Sequence, residues 1–146
     1  MDAAAYRDYV NILKEELVPA MGCTEPIAIA YAAAVARRTL GRPARRVEVE
    51  ASGNIIKNVK SVFVPNTGGL RGIPAAAAAG MAAGNPDLEL EVLSQIGEAE
   101  QAAIRQYLEK TPITVKLAAS PFIFDITIRA WAEEESALVR IVNYHT

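Results

Sequence analysis

The chain has 146 residues, a net charge of −2 and 51% hydrophobic residues, which suits one globular domain with a core. Its 15 basic residues are scattered among 17 acidic ones, which excludes a basic nucleic-acid surface, and no apolar stretch is long enough to span a membrane. A single cysteine excludes an internal disulfide. Since Met1-Asp2 opens neither a signal nor a transit peptide, we expect a cytoplasmic protein.

The first two elements are predicted to be helices. An N-cap at Asp2 precedes apolar residues at three- and four-residue steps, and Pro19 ends the pattern. These apolar residues are Tyr6, Tyr9, Val10, Leu13 and Leu17. The second helix runs from about Thr24 to Gly41 and is apolar on every side. We expect it to be the central, buried helix.

The middle of the chain combines a strand, a glycine-rich loop and two helices. Residues 46–52 alternate polar and apolar side chains, as in a strand with one wet face, and residues 53–63 are ambiguous. The loop 65–74 leads through Pro74 into an alanine-rich helix that ends at Ala83. Residues 90–93 fit a short strand. Residues 99–108 fit a helix that turns four residues inward: Ala103, Ile104, Tyr107 and Leu108.

The last third of the chain is predicted to consist of three strands. Residues 113–119, 124–130 and 137–144 alternate in the same manner, and the acidic segment 133–136 forms an exposed turn between the last two. Alternation of this kind favours antiparallel pairing. The expected fold is therefore a single α+β domain over residues 1–146, with helices packed on one face of a mostly antiparallel sheet.

Cys23 is the residue with the clearest chemical potential. It lies at a predicted helix start, where unpaired N–H groups and the helix dipole favour a thiolate. The alternative, a small buried hydrophobic residue, is equally favoured by sequence context. Glu25 could exchange a proton, although a first-turn acid that stabilises the helix dipole is the simpler interpretation.

Two polar clusters and one histidine complete the candidates. The backbone of Asn66-Thr67-Gly68-Gly69 could hold a carboxylate or phosphate, but an ordinary surface turn is favoured by the pattern. Ser52, Asn54, Lys57 and Asn58 could converge on a ligand, or could form a solvated turn. His145, the sole histidine, is either an acid/base group or a frayed terminal residue.

Four segments together resemble the L-cysteine desulfidase family, which is related to iron-sulfur-dependent L-serine dehydratases. They are residues 21–28, 52–60, 64–69 and 72–76, in that order along the chain. The resemblance implies a lyase that converts L-cysteine to pyruvate, sulfide and ammonia, or L-serine to pyruvate and ammonia. It also implies a [4Fe-4S] cluster that acts as a Lewis acid in the full-length enzyme.

The resemblance also implies roles for individual residues. Cys23 and Glu25 would be catalytic, and Cys23 could associate with the cluster only when a further domain is present. The substrate pocket would be lined by Thr24, Ser52, Asn54, Lys57, Asn58, Asn66, Thr67, Gly68 and His145.

This chain departs from the family in its length and in its cysteine count. Family members are much longer and carry their other cluster ligands in a C-terminal domain, whereas one thiolate cannot hold a cluster. We therefore expect an N-terminal domain that binds no cluster and is inactive by itself. Its expected partners are a small amino acid, the missing C-terminal domain and further copies of itself, because exposed apolar surface favours a homo-oligomer.

Two alternatives from other classes stay open. The chain could be a non-catalytic binding or regulatory module for a small anion or an amino acid, with the glycine-rich loop and the helix start at Pro74 as the site. It could also be a structural oligomerisation domain that binds no ligand.

Overall fold

The structure is a computed structural model that describes residues 8–14 and 24–143. In these ranges five strands form one sheet: β1 (Asp8–Lys14), β2 (Arg46–Ala51), β3 (Ile113–Leu117), β4 (Phe124–Ala132) and β5 (Glu135–Asn143). The helices are α1 (Thr24–Leu40), α2 (Gly53–Val59), α3 (Gly72–Ala83) and α4 (Glu98–Lys110), and a 3₁₀ helix spans Pro86–Glu91.

The sheet is mixed, with strand order β1-β5-β4-β2-β3. The central strand β4 pairs antiparallel with β5 and with β2, whereas the edge strands β1 and β3 run parallel to their neighbours β5 and β2. A two-residue turn at Glu133 and Glu134 joins β4 to β5, and Glu133 has φ of 58°. Side chains alternate between the two faces of each strand, so this register assigns one apolar face and one polar face to the sheet.

The helices cover the apolar face. Helix α1 packs on β4 and β5, and α3 packs between α1 and α4. The alanine residues of α1 and residues 75–79 of α3 are buried, which lets the two helices approach closely. At Gly80 of α3 an added Cβ would lie 1.9 Å from the carbonyl oxygen of Ala30, so only glycine fits this crossing.

The predicted α+β class, with helices packed on one face of a mostly antiparallel sheet, is confirmed. The prediction of a buried central helix is confirmed by α1, and the alternating segments 46–52, 113–119, 124–130 and 137–144 correspond to β2, β3, β4 and β5 within the described residues. The alanine-rich helix begins at Gly72, two residues before Pro74. The ambiguous segment contains α2.

Three local predictions are wrong. Residues 8–14, predicted as helix, form β1, because their short run of aromatic and aliphatic residues fits either period and β5 offers an edge to pair with. The predicted strand at residues 90–93 overlaps a 3₁₀ helix that starts at Pro86 after the Asn85 cap. Ala103 of α4 is exposed, whereas Ile104 is buried. Asp2, Tyr6, Leu17 and Pro19 lie outside the described residues.

Candidate functional site

The predicted site residues on α1 and α2 lie near one another. Asn58 of α2 donates through Nδ2 to Oε2 of Glu25, in the first turn of α1, at 3.5 Å. Asn54 and Lys57 of α2 are exposed to solvent. The structure therefore brings two separate motifs to the N-terminal end of α1, through one long hydrogen bond at the surface.

Ser52 has a structural role in the described fold. It is 3% exposed, and its Oγ donates to the carbonyl oxygen of Ile123 at 2.5 Å. Its backbone N–H donates to the carbonyl oxygen of Asp125 at 2.9 Å. Ser52 therefore fixes the end of β2 to the start of β4.

The side chains of Asn66 and Thr67 make hydrogen bonds that hold the glycine-rich loop in place. Asn66 donates through Nδ2 to the carbonyl oxygen of Leu93 at 3.0 Å, and Asn66 has φ of 61°. The buried Thr67 hydroxyl donates to the carbonyl oxygen of Val64 at 2.7 Å and accepts from the backbone N–H of Leu70 at 3.2 Å. Gly68, with φ of 79°, completes the turn. The contacts of Asn66 and Thr67 are those of a structural turn.

The remaining predicted site residues are not described. Cys23 and His145 lie outside the described residues, and so does the side chain of Thr24. The roles predicted for them stay predictions. Within the described residues, no group of three or more His, Cys, Asp or Glu could hold a metal ion, and no helix there is both long and apolar enough to cross a membrane.

The structure shows a cleft that the sequence did not predict, on the sheet face opposite the helices. We call it the Asp125 cleft; it has a volume of about 250 Å³. Its floor is made by β2, β4 and β5, and one wall is the loop between β3 and β4. It is lined by Glu50, Ala118, Ala119, Ser120, Asp125, Thr127, Arg129, Leu138 and Arg140.

Asp125 lies buried at the start of β4, with only 3% of its surface exposed. Arg140 of β5 holds it with two hydrogen bonds, Nε to Oδ1 at 3.0 Å and Nη2 to Oδ2 at 2.7 Å. Burial by itself would raise the pKa of the Asp125 carboxyl, but hydrogen bonds from Arg140 and Ser120 and the charge of Arg140 outweigh it and lower this pKa below its ordinary value. Asp125 is therefore a carboxylate at neutral pH.

A second charged group lies beside this pair. Arg129 contacts Glu48 at 3.1 Å and Glu50 at 2.5 Å, and Lys116 contacts Glu48 at 3.3 Å. Within the cleft lining, two carboxylates, Glu50 and Asp125, balance two guanidinium groups, those of Arg129 and Arg140. Such a lining has no excess of either charge, so it presents both signs to a ligand.

The charged residues of the cleft and Thr127 were missed because each is a polar position in an alternating strand, which indicates solvent exposure. The sequence did contain one indication that Asp125 and Arg140 are neighbours. A two-residue turn at Glu133-Glu134 sets a hairpin register in which Thr127 lies opposite Arg140, so Asp125 lies diagonal to Arg140. The burial of Asp125 depends on the loop at residues 118–123, which has no sequence pattern of its own.

Proteins similar to this chain were found among curated sequences. A UPF0597 protein of Desulfitobacterium hafniense is 57% identical over 97% of this chain and 33% of its own length. UPF0597 proteins of Treponema denticola and Finegoldia magna are 44% and 47% identical, over 100% and 96% of this chain and 34% of their own lengths. No family model matches the chain, and no solved structure matches it.

These names contradict the family assignment made from sequence motifs. The relatives are named UPF0597 proteins, and none of these three is named an L-cysteine desulfidase or an L-serine dehydratase. The predicted function as a domain of an iron-sulfur lyase is therefore wrong, and the [4Fe-4S] cluster inferred with it stays untested. The chain spans about one third of the length of the curated relatives it matches. Nearly the whole of this chain is therefore similar to a segment that makes up about one third of each of these UPF0597 proteins.

Proposed function

We propose that this domain binds a small zwitterionic metabolite of the amino-acid class in the Asp125 cleft. The observation that carries the proposal is the buried Asp125 carboxylate, held by Arg140 at the floor of a cleft whose charged lining is balanced. Charged groups with perturbed pKa values that line a cleft are a recognised sign of a binding site.

The balance of charges favours a zwitterion over a simple anion. A ligand carboxylate can pair with the guanidinium of Arg129 or Arg140, and a ligand ammonium can pair with Glu50 or Asp125. Phosphate or a dicarboxylate would meet two protein carboxylates, and a diamine would meet two arginines, each at a cost in like-charge repulsion.

The size and the neutral groups of the cleft favour a small ligand. A volume of about 250 Å³ lies below the range of roughly 300–1,000 Å³ that is usual for drug-sized ligands. The hydroxyl of Thr127 can donate and accept a hydrogen bond, and Leu138 supplies apolar contact. These groups suit the polar main chain and short side chain of a small amino acid.

Isothermal titration calorimetry tests the proposal. The 146-residue chain is titrated with small neutral L-amino acids, with matched amines that lack the carboxylate, with matched acids that lack the ammonium, and with inorganic phosphate. We expect the amino acids alone to bind. Equal binding of phosphate or of the matched acids, or no binding of any amino acid, would refute the proposal.

Variants place the binding in the cleft without breaking the buried ion pair. Thr127→Val should weaken amino-acid binding by about tenfold, because it removes one hydrogen-bonding group of the cleft. Ser120→Ala should weaken it as well, because it removes the hydroxyl that supports the Asp125 carboxylate. The matched control is Arg45→Gln, which removes an exposed guanidinium paired with Glu133 at 3.0 Å and absent from the cleft lining. Full affinity in both cleft variants would move the site elsewhere.

Two earlier expectations belong to this proposal. The amino-acid partner is supported by the charges of the Asp125 cleft rather than by the glycine-rich loop. The cytoplasmic location is supported by the single cysteine, which is typical of a reducing compartment, and free amino acids are available there.

A further inference from the structure

The outer edge of β3 offers unpaired backbone groups. This strand ends the sheet, and no strand among residues 8–14 and 24–143 pairs with its outer side. Val47 donates to the carbonyl oxygen of Pro112, and Ala118 donates to that of Ala51, so the even-numbered residues of β3 face β2. The N–H and C=O groups of Ile113, Val115 and Leu117 therefore point outward.

The side chains of the same three residues lie on the helix side of the sheet, where the helices do not fully cover them. Val115 is 37% exposed and Leu117 is 68% exposed. Next to Val115 is an open, largely apolar depression of about 250 Å³, lined also by Ile56, Lys60, Ile73 and Pro74. Natural edge strands usually avoid such a combination of apolar side chains and free backbone groups.

The charge on this strand does not protect its edge. Lys116 points to the opposite, polar face and pairs with Glu48 at 3.3 Å. Lysine on an edge strand often blocks pairing with another chain. Here the lysine is held by its own sheet, away from the apolar side chains.

We propose that two copies of this chain associate through β3, antiparallel, about a two-fold axis at Val115. This register pairs Val115 with the partner's Val115, and Ile113 with the partner's Leu117. All three residues are those whose N–H and C=O point outward, so each pair exchanges two hydrogen bonds. The two five-stranded sheets then form one continuous sheet.

The same register also brings compatible side chains together on both faces of the sheet. On the helix side, Ile113, Val115 and Leu117 of both copies form one apolar stripe that lies beside the depression next to Val115. On the polar side, Thr114 faces the partner's Lys116, so no like charges meet. This self-complementarity favours a second copy over an unrelated strand, because a two-fold contact uses the same patch on both sides.

A cysteine cross-link tests the register directly. In a Cys23→Ser background, Val115→Cys places two thiols across a hydrogen-bonded pair whose Cα atoms are about 5.5 Å apart, which a disulfide can span. Mild oxidation should convert most of this variant to a covalent dimer. In the matched variant Thr114→Cys, the new cysteine of one copy is a diagonal neighbour of the new cysteine of the other copy. This variant should cross-link at least about tenfold more slowly, because the distance between the two Cα atoms lies near the limit for a disulfide.

Sedimentation velocity tests the association without cross-linking. We expect a concentration-dependent dimer. Leu117→Glu should raise its dissociation constant by about tenfold or more. Val115→Pro removes an outward-facing N–H without breaking a bond to β2, which an edge strand tolerates, and should also abolish the dimer. Ala103→Glu adds the same charge to an exposed position of α4 and should leave the dimer intact.

Three outcomes would overturn the proposal. The first is a chain that stays monomeric at all concentrations, which would leave this edge to a strand from outside the chain. The second is a dimer that survives both Leu117→Glu and Val115→Pro, which would place the contact elsewhere. The third is equal cross-linking of Val115→Cys and Thr114→Cys, which would exclude the two-fold register.

Discussion

Arg140 donates two parallel hydrogen bonds, of 3.0 Å and 2.7 Å, to the carboxylate of Asp125 across the β4–β5 hairpin. The carboxylate is buried, whereas the guanidinium stays 35% exposed at its side chain. The pair forms the floor of the Asp125 cleft. In the proposed function, ligand binding therefore uses the same pair of residues that stabilises the hairpin.

Breaking this pair from one side should be costly. Arg140→Gln leaves a buried carboxylate without its charged partner, and we expect a loss of about 3 kcal/mol in the free energy of unfolding. The double variant Asp125→Asn with Arg140→Gln should recover part of this loss, because no buried charge remains. Urea denaturation measures both. An Arg140→Gln loss no larger than that of the surface control Arg45→Gln would contradict a structural role for the pair.

The same carboxylate should make stability depend on acid pH. The pKa of Asp125 is lowered in the fold, so the unfolded chain binds a proton first as pH falls. The contribution of Asp125 to stability is fully present above its ordinary pKa of 3.8 and is lost as pH falls through the lower folded value. We expect the unfolding free energy of Asp125→Asn to fall less steeply below that pH than that of the wild type. Parallel acid slopes would contradict this.

Tyr107 should give a matching effect at alkaline pH. Burial, only partly offset by a hydrogen bond with Thr111, raises its pKa to about 12, and its hydroxyl donates to the carbonyl oxygen of Ala44 at 2.6 Å. Because the neutral phenol is favoured in the fold, this stability is present below pH 10.0, the ordinary value, and is lost as pH rises toward 12. Tyr107→Phe should cost about 1 kcal/mol at neutral pH.

The ultraviolet absorbance of ionised tyrosine checks this assignment. The wild type has five tyrosines, and subtracting the titration of Tyr107→Phe should leave one group that ionises near pH 12. A difference curve centred near pH 10 would show an unperturbed phenol.

The crossing of α1 and α3 should be intolerant of any side chain at Gly80. A Cβ there would lie 1.9 Å from the Ala30 carbonyl oxygen, and neither backbone can move without disturbing the core. We expect Gly80→Ala to destabilise the fold by about 3 kcal/mol, the upper end of the usual cost of overpacking. Gly53→Ala is the control, since its Cβ would meet only the Leu117 side chain at 3.6 Å. Similar melting temperatures for the two variants would contradict the packing.

Two buried serines should respond in opposite directions to the same substitution. In the described part of the chain, Ser136 Oγ is buried without a hydrogen-bond partner, whereas Ser52 Oγ donates to the Ile123 carbonyl oxygen. Ser136→Ala should raise the unfolding free energy by about 1 kcal/mol, and Ser52→Ala should lower it by a similar amount. Thermal unfolding compares them. Destabilisation by Ser136→Ala would indicate that its hydroxyl is satisfied.

The elements predicted correctly are those whose own residues specify one structure. Helix α1 is long, apolar throughout and bounded by Thr24 and Gly41, and the β4–β5 hairpin combines strict alternation with an acidic turn. Strand β1 was missed because seven residues are too few to separate the helix period from the strand period. It is a strand because β5 has an edge on which it can pair.

Several residues predicted to bind a ligand have structural roles instead. Ser52, Asn66 and Thr67 were predicted as site residues because they are polar. In the structure, each donates a side-chain hydrogen bond to a backbone carbonyl oxygen of the protein itself. The acceptors are Ile123 for Ser52, Leu93 for Asn66 and Val64 for Thr67. Polarity alone does not distinguish a group that binds a ligand from one that closes a turn. The hydrogen-bond partner makes that distinction.

By itself, the sequence determined the fold class, the single core and the alternation that leaves one face of the sheet polar, because these depend on local period and composition. Tertiary structure alone decided that Asp125 is buried against Arg140, that Gly80 touches Ala30 and that β3 ends the sheet with its outer edge unpaired within the described chain. Each of these joins residues far apart in the chain or depends on strand order. None of the three is encoded by a short run of residues.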